Sequence, residues 1–197
     1  LHEQLVYALP LAGLAVGLAY ERFGQTIKAG NDLIIDTIHD GGPTVPLRMA
    51  PMVLLGTVLT HLFGGSAGRE GTAVQMGASL ADALARPLKL DQHARRQLLV
   101  AGAAGGFGSV FGTPFAGALF GLEFIVRGRI QYDALVPALA ASLVGDLTTR
   151  ALGTEHTLYP AVHVLALSPL LLAKWLLCAL AVAGVALAFI QIMHMLK

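Results

Sequence analysis

The sequence is poor in charge and in cysteine. Of its 197 residues only 13% are charged, and 13 basic against 12 acidic residues leave a net charge of +1. Nucleic-acid binding needs a concentrated basic face, so this balance gives no support for that class of function. The single cysteine, Cys178, lies inside an apolar run, which excludes an internal disulfide and a thiolate metal cluster. We expect it to be a small buried hydrophobe.

The chain is rich in apolar residues and glycine. Hydrophobic residues make up 55% of it, 23 residues are glycine, and the mean hydropathy is +0.69. We predict an all-α integral membrane protein that crosses the plasma membrane several times. Most apolar segments are shorter than the roughly 20 residues that a simple span needs. The predicted helical segments are Leu5–Tyr20, Met49–Phe63, Thr72–Ala85, two within Leu98–Val126, Ala134–Val144 and Leu170–Leu196, the last long enough to tilt.

Glycines interrupt the apolar stretch Leu98–Val126. The interrupting residues are Gly105, Gly106, Gly108 and Gly112. Within the same stretch, Thr113 offers an N-cap and Pro114 suits the first turn of a new helix. We therefore predict two half-length helices that form a hairpin, with the bend at Gly-Phe-Gly. Such broken helices survive in lipid only where protein or water covers the freed backbone groups, and transporters aim their N-termini at anions.

Two basic clusters flank this stretch. They consist of Arg86, Lys89, Arg95 and Arg96 before it, and Arg127 and Arg129 after it. Lysine and arginine near span ends collect on the cytoplasmic side. If both clusters lie there, the two helices between them rise and return as a hairpin. The alternative to a hairpin is two ordinary packed helices with small-residue contacts such as Gly117 to Gly121.

The most unusual feature is a glycine-rich run that contains Arg69 and Glu70 between two apolar segments. An ionisable group at bilayer depth costs at least about 2.5 kcal/mol, so such groups generally mark a path for ions or protons. Gly68 and Gly71 permit close backbone approach, and a helix predicted to begin near Thr72 presents unpaired N–H groups to an anion. An ionised Glu70 would occupy that anion site and leave it when protonated, as a gate and proton carrier. The alternative is that Glu70 is only a first-turn partner of the helix dipole, paired with Arg69.

A second candidate lies earlier, where Gly30 and Asn31 open a short apolar turn. The side-chain amide of Asn31 offers N–H donors to an anion. Asn31 or Asp32 could instead simply cap a helix. The residues alone leave both interpretations open.

Asp36, His39 and Asp40 are spaced to share one helical face, as ligands of a membrane-embedded metal-dependent enzyme would be. Their segment is polar and ends in Gly41-Gly42-Pro43, and the remaining histidines show no ligand spacing. We therefore expect a solvated helix end there, with no metal site and no cofactor.

A purely structural membrane subunit is a third class of function. It explains the apolar runs but leaves Arg69 and Glu70 without a purpose. Asp146 and Arg150 need no functional explanation, because their spacing predicts an i,i+4 ion pair at a helix end.

Two segments carry specific motifs. Residues Gly68–Gln75 read GREGTAVQ, and residues Gly102–Glu123 run from GAAGGF to TPFAGALFGLE. By these motifs the chain resembles the CLC family of chloride channels and proton-coupled anion exchangers, whose signatures are GREGPxVQ and GAAAGF…PLAGxLFxxE. The resemblance covers nearly the whole chain. It implies a single transmembrane domain over 1–197, roughly the third to the tenth helix of a longer protein, forming one of two inverted repeats of short, broken and tilted helices.

The resemblance also implies a homodimer with one path per subunit for halide anions and protons. Glu70 would be the external gate, with helix N-termini around the anion. The anion-binding residues would then be Gly30, Asn31, Gly68, Arg69, Gly71 and Thr72.

Departures from the family pattern indicate the bacterial fluoride/proton antiporter branch. Asn31 stands in the segment where most members carry the serine of GSGIP, and Thr72 replaces the proline of GREGP. Phe124 follows Glu123 where chloride exchangers have an internal proton glutamate, a loss usual in channels and in the fluoride branch. We predict fluoride export coupled to proton entry, with a chloride channel or exchanger of the same family as the alternative. Asp32 is expected to turn away and cap its helix, because its carboxylate would repel the anion.

Overall fold

The computed structural model describes residues 5–124, 132–156 and 167–195, and within these ranges all regular secondary structure is helical. The chain divides into two compact units, residues 1–156 and 157–197. The helices described in the first unit are α1 Leu9–Phe23, α2 Asn31–Asp40, α3 Met49–Leu62, α4 Arg69–Ala85, α5 Gln92–Phe111, α6 Pro114–Phe124 and α7 Leu135–Ala151. The second unit contains α8, Pro169–Met195. The predicted all-α fold is confirmed.

The apolar runs located most of these helices correctly. α3 ends one residue before the predicted limit at Phe63, and α7 continues past Val144 to Ala151. Val126 and the basic cluster of Arg127 and Arg129 lie outside the described residues. Hydrophobic runs therefore mark where helices lie, while polar residues such as those at the end of α7 extend them.

Of the described helices, only α8 has the length and hydropathy of a simple membrane span. It contains 27 residues with a hydropathy of 2.5, and at about 1.5 Å per residue it exceeds a hydrocarbon core of about 30 Å. Ser168 caps its start, since the N–H of Leu171 donates to Ser168 Oγ at 3.2 Å. No α8 side chain is buried among the described residues, so Cys178 is exposed and the expectation of a buried cysteine is wrong. Its apolar surroundings in sequence are those of a helix with the length and hydropathy of a membrane span.

α4 and α5 form the centre of the first unit, with their backbones in direct contact. A side-chain carbon added at Gly77 would collide with the carbonyl of Gly102, and one at Gly106 would collide with the carbonyl of Ala73. The predicted bend at Gly-Phe-Gly is therefore wrong, because α5 runs unbroken from Gln92 to Phe111. The glycines of α5 allow α4 to approach closely, and they do not end α5.

The break between α5 and α6 comes later, at Gly112. This residue has φ +66°, a left-handed conformation that favours glycine, and its N–H donates to the Gly108 carbonyl at 2.9 Å. Pro114 then opens α6, as predicted. Two helices are thus confirmed, but α5 with 20 residues is about 30 Å long and not half-length. α6, with 11 residues, is the short one.

α6 and α7 pack against α5 through small residues. A side-chain carbon added at Gly117 would lie 2.7 Å from Gly108 Cα and would also meet the fully buried Ser142. One added at Gly121 would lie 2.7 Å from Ala104 Cβ. The close contacts predicted at Gly117 and Gly121 are confirmed, and they leave no room for larger residues at this crossing.

The end of α7 carries the predicted ion pair. Arg150 Nε donates to Asp146 Oδ2 at 3.0 Å, and His156 Nε2 lies 3.4 Å from Asp146 Oδ1. Asp146 is buried, and the pair with Arg150 lies within α7 itself.

We predict that Gly77→Ala destabilises the protein by about 1–3 kcal/mol, because the new methyl group meets rigid backbone of α5. Gly13→Ala is the matched control, since an added carbon there meets nothing within 4 Å and alanine favours a helix by about 0.5–1 kcal/mol. The measurement is the thermal unfolding midpoint of each purified full-length variant in detergent. Equal midpoints for the two variants would contradict the close contact of α4 and α5.

Candidate functional site

The glycine-rich run forms the start of α4. Gly68 is an extended N-cap residue with φ −67° and ψ 134°, and it makes no side-chain cap hydrogen bond. The helix begins at Arg69, so the prediction of a start near Thr72 is wrong. Gly71 is the third residue of the helix and does not interrupt it. Arg69 and Glu70 thus lie in the first turn itself, where backbone N–H groups have no intrahelical partner.

Glu70 lies at the positive end of the α4 dipole. Its side chain is exposed and folds back over the helix start, so that a side-chain carbon added at Gly68 would lie 2.7 Å from Glu70 Oε2. This position suits both a dipole partner and a carboxylate that competes with an anion. Among the described residues no ion pair joins Glu70 to Arg69, so that part of the alternative interpretation is wrong. Arg69 instead lines a groove between α3, α4 and α5.

α2 begins with a glycine turn and not with a side-chain cap. Gly30 is the N-cap residue, with φ +58° and ψ −121°, and its N–H donates to the Ile27 carbonyl at 2.9 Å. No side chain caps this helix, so neither Asn31 nor Asp32 has the predicted capping role. The side chain of Asp32 is exposed. Gly30 contributes its conformation, since its N–H is already bonded within the turn.

The starts of α2 and α4 are joined by two side-chain amides. Gln75 Nε2 donates to Asn31 Oδ1 at 2.9 Å, although the two residues are 44 positions apart in sequence. A side-chain carbon added at Gly71 would lie 3.7 Å from Asn31 Nδ2, and one at Gly30 would lie 3.3 Å from Gln75 Nε2. The structure therefore brings together Gly30, Asn31 and Gly71, with Gln75 as a partner that the sequence analysis did not select. Its place at the end of the GREGTAVQ motif was the available signal.

Thr72 connects α4 to α3. Its Oγ1 lies 2.6 Å from Thr57 Oγ1 and 3.5 Å from the Gly68 carbonyl oxygen. Thr57 is a second residue that the sequence analysis missed. Both threonines line a cavity of about 370 Å³ between α1, α3 and α4, together with Val16, Tyr20, Val53, Gly56, Thr60, Ala67 and Gln75. The Thr72 hydroxyl is therefore already engaged in a hydrogen bond, which ties the α4 start in place.

Comparison with known proteins decides the family. The model of the voltage gated chloride channel family matches residues 12–197. The chain belongs to the CLC family. The membership predicted from the two motifs is confirmed, and with it a CLC-type helical fold. Its members are membrane proteins.

Individual CLC relatives agree with this assignment. A chloride/fluoride channel protein of Pseudomonas syringae pv. tomato is 52% identical over 93% of this chain and 40% of its own length. An uncharacterized protein of Methanocaldococcus jannaschii is 36% identical over 70% of this chain and 33% of its own length. A crystal structure of a CLC-type fluoride/proton antiporter superposes with a TM-score of 0.83 at 35% identity, covering 90% of this chain and 45% of that one. This CLC chain thus spans less than half the length of the relatives it matches.

The far ends of α2 and α4 are held by two consecutive arginines at the start of α5. Arg95 donates to Asp82 on α4, with Nε 2.5 Å from Oδ1 and Nη2 3.0 Å from Oδ2. Arg96 donates to the carbonyl oxygens of Ile38 and His39 at the end of α2, the latter at 2.7 Å. Two residues of the first basic cluster therefore fix the helices whose other ends form the candidate site.

Asp82 is the centre of this attachment. Its side chain is fully buried and also accepts the Val45 N–H at 2.7 Å. Arg86 approaches it only to 4.0 Å and keeps 55% of its side chain exposed. A buried carboxylate without partners is costly, so Arg95 and the Val45 N–H are what make this position tolerable.

The end of α2 differs from its prediction as a solvated helix end. Thr37 and Ile38 are buried, and Arg96 covers the last carbonyls. Asp36 and His39 each have an interaction partner. Within the residues that the structure describes, no group of three His, Cys, Asp or Glu side chains could hold a metal ion.

We predict that Arg95→Ala destabilises the full-length protein by about 3–5 kcal/mol, because it leaves the Asp82 charge buried without its main partner. Arg86→Ala removes the same side-chain type near the same carboxylate but should cost no more than about 1 kcal/mol, since that contact is long and exposed. Thermal unfolding in detergent measures both. A loss for Arg86→Ala as large as that for Arg95→Ala would contradict the assignment of Arg95 as the main partner.

Proposed function

We propose that the full-length protein exports fluoride in exchange for protons, through a CLC-type path gated by Glu70. The observation that carries this proposal is the Asn31 amide, held where the uncapped N-termini of α2 and α4 meet. Fluoride is a small anion and a strong hydrogen-bond acceptor, so a site built from N–H donors suits it. The relatives described as a chloride/fluoride channel protein and a fluoride/proton antiporter support the same substrate.

The proposed anion-binding residues supply two kinds of donor and shape the site around them. Asn31 offers its side-chain N–H₂ group, and Arg69 and Gly71 offer first-turn N–H groups of α4. Gly30 and Gly68 give the backbone the shape that lets the two helix starts meet. Thr72 shapes the site through its bond to α3. The positive ends of both helix dipoles add a favourable field for an anion.

Glu70 is proposed as the gate because it shares the α4 start with the anion. An ionised carboxylate there is stabilised by the helix dipole and competes with fluoride for the same N–H groups. A protonated carboxyl loses that attraction and leaves the site to the anion. Coupling between anion and proton movement follows from this competition.

The remaining parts of the proposal concern the whole protein. We propose one transmembrane domain over 1–197 that forms the N-terminal half of a CLC subunit, corresponding roughly to its third to tenth helix. The full protein would be a multi-pass homodimer in the bacterial inner membrane, with halide anions and protons as its partners and no enzymatic activity. The 33–45% of each matched relative that this chain covers supports this half-length assignment.

A chloride channel or exchanger of the same family is the second candidate. A voltage-gated ClC-type chloride channel of Yersinia pseudotuberculosis, 32% identical over 76% of this chain, supports it. Phe124 after Glu123 disfavours a chloride exchanger but does not separate a chloride channel from the fluoride branch.

Anion efflux from liposomes tests the substrate. Liposomes that contain the purified full-length protein and are loaded with fluoride or chloride should release fluoride faster, because the amide donors favour the stronger acceptor. Protein-free liposomes provide the leak rate. Faster chloride release would replace the fluoride proposal with the chloride alternative.

Glu70→Gln tests the gate. This variant keeps the size of the side chain but cannot ionise, so proton movement coupled to the anion gradient should fall to the leak rate. Glu21→Gln is the matched control, because Glu21 is exposed at the end of α1 and outside the site. Proton uptake is followed with a pH-sensitive dye inside the liposomes. Unchanged proton uptake by Glu70→Gln would remove Glu70 from its role.

A further inference from the structure

We infer that Gln75 is a positioning residue that orients the Asn31 amide and thereby sets the anion preference of the site. The inference rests on the proposed function. It goes beyond that function by assigning a specificity role to the glutamine that ends the GREGTAVQ motif, a residue to which the family resemblance gives no role in the site. Gln75 carries no charge and would not contact the anion itself.

The Asn31 side chain can present either of two ends to an anion. Its amide has a donor end, Nδ2, and an acceptor end, Oδ1, on opposite sides of one carbon. Only the donor end attracts an anion, and the acceptor end repels it. Rotation of the amide by half a turn exchanges the two ends with little steric change. Asn31 therefore serves an anion only if something fixes which end faces the site.

Gln75 fixes that orientation. Its Nε2 donates to Asn31 Oδ1 at 2.9 Å, which leaves Nδ2 on the opposite side. Nδ2 is also the Asn31 atom that lies nearest to a side-chain carbon added at Gly71, at 3.7 Å. The donor end thus lies beside Gly71, a residue in the first turn of α4. With the amide reversed, two donors would face each other and an oxygen would face the anion.

Gln75 stands on the helix whose backbone contacts α5. It lies on α4 one turn after Gly71, between Ala73 and Gly77, whose carbonyls contact the glycines of α5. On its other side it lines the cavity that Thr57 and Thr72 share. The close contact of α4 with α5 therefore fixes the backbone from which the Gln75 side chain reaches Asn31.

The test compares fluoride and chloride efflux from liposomes that contain full-length variants. Gln75→Leu keeps most of the volume but removes the donor, so the ratio of fluoride to chloride efflux should fall roughly two- to twelve-fold, the effect of losing one neutral hydrogen bond. Gln75→Glu keeps the size and should lower the ratio further, because its carboxylate attracts Nδ2 and turns Oδ1 toward the anion. Gln25→Leu is the control, since Gln25 is exposed after α1 and its Nε2 donates to the Glu21 carbonyl at 2.9 Å, away from the site.

The order of the two variants separates positioning from packing. A packing role predicts that Gln75→Glu, which has the same shape, is milder than Gln75→Leu, and that both anions slow equally. Such a result would overturn the inference. If Gln75→Leu does not fold, the isosteric Gln75→Glu still decides, because an unchanged ratio in that variant overturns the inference by itself.

A double-mutant comparison adds a second criterion. In an Asn31→Ala background there is no amide left to orient, so Gln75→Leu should change the efflux ratio no further. Independent, additive effects would overturn the inference. Failure of the proposed function would give another result, because the unmodified protein itself would then release chloride faster than fluoride. The coupling between Gln75 and Asn31 would then be measured on chloride efflux.

Discussion

The close contact between the backbones of α4 and α5 is the constraint on which the rest of the first unit depends. The carbonyls of Gly77 and Gly102 each lie against the other glycine, and the carbonyl of Ala73 lies against Gly106. The two helices are therefore closer than side chains at these glycines would allow. In lipid, where apolar side chains gain little by leaving the solvent, such van der Waals contact is a main source of helix association. It makes α4 a fixed reference for the elements around it. The start of α4 is where Glu70 and the proposed anion site lie.

From this reference the position of α2 follows through contacts at both of its ends. At its C-terminus, Arg96 of α5 binds the last carbonyls, and the neighbouring Arg95 binds Asp82 on α4. At its N-terminus, Gln75 of α4 holds Asn31. α2 is a helix of 10 residues whose own propensity would not keep it in place. The direction of its N-terminus therefore depends on two polar attachments. One joins residues 44 positions apart in sequence and the other joins residues 57 positions apart.

The sequence predicted what depends on local residue type and missed what depends on distant partners. Apolar runs placed α1, α3, α7 and α8, and Pro114 marked the start of α6, because hydrophobicity and a missing N–H group act within one segment. Gly106 was interpreted as a bend, since glycine serves both bends and close helix contacts, and only Ala73 on another helix distinguishes them. The bond between Gln75 and Asn31 was missed for the same reason. Gly68, Gly71, Glu70 and Gln75 all belong to a recognisable motif, but the motif does not show that Gln75 bonds Asn31 on another helix.

The groups that meet at Asn31 are amides and first-turn N–H groups, which carry partial positive charges. The guanidinium of Arg69 belongs to the wall of the groove toward α5, while Gln75 faces the cavity toward α1. A transport site must bind its ion well enough to admit it and weakly enough to release it. A full cation beside fluoride would favour retention, and it would also hold an ionised Glu70 in place. Donors with partial charges let small changes, the protonation of Glu70 or the rotation of one amide, decide between the carboxylate, fluoride and chloride. That sensitivity is why a single hydrogen bond from Gln75 can matter for selectivity.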